Sequence, residues 1–298
     1  MKRIVSGLLV LAMLVTLMPF TFAAGVLTEI SLNPYFDLVQ VGDTLDLNLV
    51  ATDDESTEIP LGNLTVNYTV TEGEEYASVD ASGVVTGLAI GKVTVAVSVS
   101  DGTNTLNDSI TLPVVGANKI DQSENDLANY HWDHAADVTN ITSGPEMRTP
   151  VSNVQKIVAD HAAGKGNVDY WQEVADSGQV NKLYEFSGYV KQQDVTVSSD
   201  IASAIVPLYS TGAGYDFYAY SFPFGDRQNP GGVAPNIDWT KFSTPAYGNP
   251  DPSLTGYTID LGRRYLEAVG TYYFADLSFN EVIPWEISAD IGEIQTAD

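Results

Sequence analysis

A sugar is held by flat aromatic rings that stack on its apolar C–H face and by amides, carboxylates or guanidinium groups that hydrogen-bond its hydroxyls. In this 298-residue chain such residues collect in the rear part. Trp132, Trp171, Tyr218, Tyr220, Trp239 and Tyr247 are the candidate platforms, and Arg227 is the candidate polar partner. Tyr218 and Tyr220 share one face of an extended segment while Phe217 and Ala219 share the other, so one of the two rows must be core. Trp239 stands among turn-forming residues, Pro235 to Asp238 before it and Pro245 after it, which favours exposure. Arg227 lies in the loop Phe224–Asp238, FGDRQNPGGVAPNID, which reads either as a binding loop or as a solvated connection.

Other chemistry is less well provided for. His131, Asp133, His134 and Asp137 in HWDHAAD are metal-ligand types, but on a strand His134 faces away from His131 and Asp133, and the segment reads as an exposed polar lead-in. Gly-x-Ser-x-Gly, His-Glu-x-x-His and phosphate-loop patterns do not occur, and carboxylate pairs arise by chance in so acidic a chain, so no enzyme is expected. Asn63, Asn67, Asn107 and Asn140 head Asn-x-Ser/Thr triplets that accept glycans only in a host with that machinery.

The elements that must position these residues are strands. Val79 to Val99 reads VDASGVVTGLAIGKVTVAVSV: Ser82-Gly83 makes a turn, Gly87 and Gly91 bracket a second, and Val93, Val95, Val97 and Val99 alternate with Thr94, Ala96 and Ser98. Period two places one valine row against a core. In the rear part, Val168–Gly178, Asn181–Asp194, Ala202–Ser210, Gly214–Phe224, Thr255–Gly262 and Gly270–Val282 are Tyr-, Phe- and Val-rich runs separated by Gly, Asp and Asn. Pro150–Ala163 is also read as strand, and helix is scarce. The fold class is therefore all-β: an N-terminal β-sandwich over residues 27–115, a polar linker at 116–127, and a C-terminal jelly-roll sandwich over 128–298 ending in a short acidic tail.

Composition bounds the role. Residues 1–24 have a basic start, an apolar run from Ile4 to Phe22 and a small-residue exit, the form of a secretory signal, and no later stretch is apolar enough to span a bilayer. The expected location is secreted or cell-surface associated, with no membrane insertion after cleavage. Cysteine is absent, so disulfides, zinc-thiolate sites and cysteine nucleophiles are excluded. The formal net charge of −26 repels nucleic acid and anionic membranes and attracts cations, calcium in particular. Between Leu27 and Val115 there are four aromatic residues; from Gly116 onward there are twenty-four, so recognition is expected there.

The front segment resembles the bacterial Ig-like domain of group 2. VDASGVVTGLAIGKVTV, ISLNP (Ile30 to Pro34) and VGDTLDLNLVAT (Val41 to Thr52) carry the likeness, with Tyr68 where that family has a tryptophan. The resemblance implies a compact antiparallel sandwich used as a spacer or adhesive module, without catalytic residues. Residues 128 to 283 resemble jelly-roll carbohydrate-binding modules: an early Trp132, then VDYWQEV, YEFSGYVK, DWTKFSTPA and a closing GTYYFADLSF. That family's last strand carries paired aspartates, one on a structural calcium. The matching pair here is Ala275-Asp276, so the resemblance implies only Asp276 as a calcium ligand. The expected function is a secreted, non-catalytic binder of extracellular polysaccharide through its C-terminal jelly roll. The alternative is a structural subunit of an extracellular layer, sheath or filament, assembled with its own copies through sheet edges and calcium.

Overall fold

The computed structural model describes residues 25–120, 138–160, 163, 170–175, 182–197, 204–211, 219–220, 235–247, 256–264 and 268–283. The first sandwich is built from β1 (Leu27–Leu32), β2 (Val39–Gln40), β3 (Thr44–Asp46), β4 (Leu49–Asp53), one 3-10 turn (Leu61–Asn63), β5 (Thr65–Glu72), β6 (Ala77–Val79), β7 (Val84–Gly87), β8 (Gly91–Ser100) and β9 (Thr105–Val115). Its sheets run β2-β9-β8-β5, β3-β7-β6 and β1-β4. The valine row behaves as its period requires: Val93, Val95, Val97 and Val99 are all buried, while Lys92, Thr94 and Ala96 alternate outward. Leu45, Leu47, Val85 and Val114 complete one core cluster, and Leu27, Ala51 and Ile59 a second. Tyr68, in the place of the family tryptophan, packs against both.

The two turns differ in what they do. Asp80 to Gly83 joins β6 to β7 as a hairpin, with Asp80 Oδ1 accepting the Ser82 and Val84 amides at 2.9 Å each. The stretch from Gly87 to Gly91 instead carries the chain from the β3-β7-β6 sheet to the facing one, so β7 and β8 are not paired. Gly83 has φ +86° and a Cβ there would meet the Tyr68 ring. Gly83→Ala should therefore cost more than about 1 kcal/mol, read as a lowered urea midpoint at unchanged slope.

The second unit comprises β10 (Val138–Ile141), β11 (Val154–Asp160), β12 (Tyr170–Ala175), β13 (Leu183–Val197), β14 (Ala204–Thr211), β15 (Ala219–Tyr220), β16 (Ile237–Tyr247), β17 (Gly256–Arg264) and β18 (Ala268–Val282). These form a five-stranded sheet, β10-β11-β18-β13-β16, and a four-stranded sheet, β12-β17-β14-β15. Inside the five-stranded sheet, Tyr184 stacks on Phe279 with ring centroids 5.2 Å apart, and Phe186 meets Phe242 edge-on at 5.6 Å. The register shift between Ser187 and Tyr189 places two residues of β18, Asp276 and Leu277, opposite Gly188 alone, so the bulge is on β18 at Asp276, whose φ of 55° a short polar residue tolerates.

The front of the polar linker is not a free connector. β11 pairs β18 only as far as Ala275, which leaves the edge of β18 open beyond that residue. Residues 116–120 cover it: Gly116 N donates to Glu281 O, Lys119 N to Phe279 O, and Asn118 Oδ1 accepts the Phe279 amide. Ile120 is buried. Residues 121–127 lie outside the described residues.

Candidate functional site

In an antiparallel ladder, residues directly opposite share a face. Lys156, Tyr273 and Lys191 are opposite one another across β11, β18 and β13, and so are Val158, Thr271 and Gln193. All six stand on the outer face of the five-stranded sheet, the one turned away from Tyr272 and Phe274. Tyr273 itself is buried there in a cluster with Val154 and Ala275 against which Trp239 packs, while Val158 and Gln193 are exposed. Trp239 on β16 meets Tyr273 edge-on, with centroids 6.3 Å apart and planes at 67°. Lys156 Nζ lies 5.4 Å from the Tyr273 ring centroid, a cation–π contact. The Tyr273 hydroxyl donates to Glu146 Oε1 at 3.0 Å and shares that proton with Gln193 Oε1 at 3.2 Å. Beside this cluster Val158 and Val269 are 52% and 47% exposed. The result is an amphipathic surface: two exposed aliphatic groups and a half-buried indole among amide, carboxylate and ammonium groups.

Charge on this face is locally balanced. The Lys156 hydrogen bond holds the Glu146 carboxyl below the usual carboxylate range, and the same bond raises the Lys156 ammonium. Burial, with the Glu146 hydrogen bond second, raises the Tyr273 phenol. The Trp239 amide lowers Asp238, with Lys191 adding to the effect. For Glu146 the folded-state value is depressed, so its stabilisation is present above the ordinary glutamate value of about 4.3 and disappears as pH falls through the lower folded value. For Lys156 it is raised, so its contribution holds below about 10.4 and disappears as pH rises through the folded value. Lys156→Met should accordingly flatten the acid limb of the stability–pH curve, measured by urea unfolding at stepped pH.

The second arrangement of note is the seam between the sandwiches. Val115 and Leu38 from the first pack on Leu183 and Val282 from the second. Arg148 spans the same seam: its Nε donates to Asp276 Oδ2, its Nη2 donates to Tyr35 O at 2.8 Å, and its guanidinium stacks 3.8 Å from the Tyr189 ring centroid and 5.4 Å from that of Phe36. Ser152 Oγ adds a 2.9 Å bond to the same Asp276 oxygen. Nearby, Lys241 Nζ donates to Asp37 Oδ2 at 2.8 Å, with Glu185 Oε1 at 3.9 Å. Burial, the largest single influence, pushes Lys241 down, but Asp37 and Glu185 together outweigh it and the net direction is up. Between these contacts a cleft of about 390 Å³ opens to the surface.

The expected site residues fare unevenly. Trp239 lies within β16 rather than in a turn, half-buried in the outer face. Trp171 is on β12 opposite Asp260, Tyr220 on β15 opposite Leu208, and Tyr247 on β16 opposite Leu183. Trp171 and Tyr220 thus belong to the four-stranded sheet, and are not gathered with Trp239. Trp132, Tyr218 and Arg227 lie outside the described residues, as does the loop from 224 to 234. Asp276 Oδ2 accepts from Arg148 and Ser152, and among the described residues no group of three or more His, Asp or Glu converges on it. Arg148, Tyr189, Lys241 and Asp37 were not singled out in the sequence. The available signal was scarcity: ten basic residues among twenty-five acidic ones after Gly116, so each cation has carboxylates to choose from.

Comparison with known proteins bears mainly on the front half. Residues 28–110 match the family model for the bacterial Ig-like domain (group 2). No curated protein matches the sequence. Among solved structures, the enzymatically active domain of tailspike protein 4 from bacteriophage CBA120 aligns with 57% of this chain and 23% of its own, at 11% identity and a TM-score of 0.29. The CBM51-2 and INT domains of Clostridium perfringens ZmpB align over 82% and 46%, at 11% identity and a TM-score of 0.24. Domains 4–9 of the surface layer protein SbsC align over 87% and 31%, at 18% identity and a TM-score of 0.23. This chain thus spans less than half the length of each of these three structures, and at such scores none assigns it a ligand.

Proposed function

We propose that this protein, whose residues 28–110 are a bacterial Ig-like domain, works outside the cell as a non-catalytic binder of polysaccharide. The Ig-like domain serves as spacer or adhesion module, and the second unit, a jelly roll, carries the glycan site. The observation behind this reading is the outer face of the five-stranded sheet, where the half-buried Trp239 packs on the buried Tyr273 beside Lys156, Lys191, Gln193 and Glu146. A pyranose ring has an apolar side for the indole and the two exposed valines, and a rim of hydroxyls for the amide and charged groups. Isothermal titration against a panel of soluble polysaccharides tests it: heat with at least one class supports the reading, and no heat with any removes it.

A structural role in an extracellular layer is the second reading, favoured by strand order. Among the described residues β5 and β16 stand at the ends of their sheets, and β16 is 11 residues long, so each offers a ladder edge to another copy. Electron microscopy of the purified protein with and without calcium separates the two readings. Ordered polymers support the layer, and monodisperse particles support the soluble binder.

A further inference from the structure

We infer that the cleft between the two sandwiches is a second saccharide site, distinct from the Trp239 face and closed on one side by the Ig-like domain. It rests on the proposed function for its ligand class and goes beyond it in location. The cleft, about 390 Å³, is within the roughly 300–1,000 Å³ range of small-ligand sites. Its charges are largely cancelled within the wall: Lys241 is paired with Asp37, and Asp276 with Arg148. Asp43 is left without a basic partner among the described residues, so the recess keeps a negative charge that disfavours an anion.

What the wall offers is unspent hydrogen-bonding capacity. Gln40 commits Oε1 to the Asn118 amide at 2.6 Å, so its Nε2 hydrogens remain for another acceptor. Asn153 and the Asp43 carboxylate also line the cleft, and their side chains have no hydrogen-bond partner among the described residues. Leu38, Tyr189 and Leu277 supply apolar and aromatic wall between them. Donors and acceptors alternating with apolar patches, with one carboxylate able to accept from hydroxyls, match a polyhydroxylated ring, whose hydroxyls both donate and accept and whose C–H faces are apolar.

The test is a two-dimensional amide NMR titration of the exported chain with maltotriose, cellotriose, xylotriose and chitotriose at millimolar concentration. The Asn153 and Gln40 side-chain amides report on the cleft, and the Trp239 indole N–H reports on the outer face. The inference predicts saturable shifts of the Asn153 and Gln40 amides with at least one trisaccharide. It also predicts at least a tenfold weaker response of the Gln40 amide in Asn153→Ala with the Trp239 response unchanged. Shifts confined to Trp239 overturn the cleft site and leave the proposed function standing; shifts confined to the cleft retain the site and overturn the outer-face reading. Silence at both positions with all four sugars overturns both.

Discussion

Arg148→Ala should uncouple the two sandwiches, turning one calorimetric transition into two and lowering the first. Arg148 and Asp276 are 11% and 12% exposed, so removing the guanidinium leaves a carboxylate nearly buried with, among the described residues, only Ser152 to serve it. Breaking such a pair costs about 3 kcal/mol, and loss of the stack on Tyr189 adds to it. The Tyr35 carbonyl also loses its donor, and this bond reaches the Ig-like domain directly. Arg148→Lys should recover only part of the coupling, because an ammonium keeps the charge but cannot stack and donate in two directions in one plane. An unchanged single transition in Arg148→Ala would mean that the apolar contact of Leu38 and Val115 with Leu183 and Val282 holds the seam unaided.

Trp239→Ala should lower affinity for the polysaccharide that binds the wild type by about 30-fold, equivalent to about 2 kcal/mol for a central aromatic contact. Trp239→Phe should fall between, since it keeps a smaller ring against Tyr273 at the same site. Thermal melts of both variants separate lost binding from lost folding. Affinity electrophoresis on gels containing the polysaccharide gives the ratio, and retardation equal to wild type in Trp239→Ala would exclude the indole from the site.

The strand pattern was legible because its cause is local. Val93 to Val99 alternate within one strand, and the period alone determines which residues face inward. Trp239 was misread for an equally local reason. Pro235 and Pro245 look like turn punctuation, yet Ile237–Tyr247 form β16, which among the described residues pairs on one side only, and proline is tolerated in such a strand. Residues 116–120 look like a solvated connector because they are polar, but the open edge of β18 that they cover exists only once the sheet is assembled. Arg148 lay furthest from reach: its partners Tyr35 and Asp276 are 113 and 128 positions away, and neither periodicity nor composition carries information at that separation. Asp276, expected as a calcium ligand from family resemblance, meets an arginine instead.

The claim that most depends on measurement is that the outer sheet face around Trp239 recognises sugar. A glycan array probed with labelled wild-type protein and with Trp239→Ala, each shown to be folded by its melt, tests it directly. The account predicts signal on at least one glycan class with the wild type and its loss in the variant. Background-level signal from both proteins across the array would contradict it.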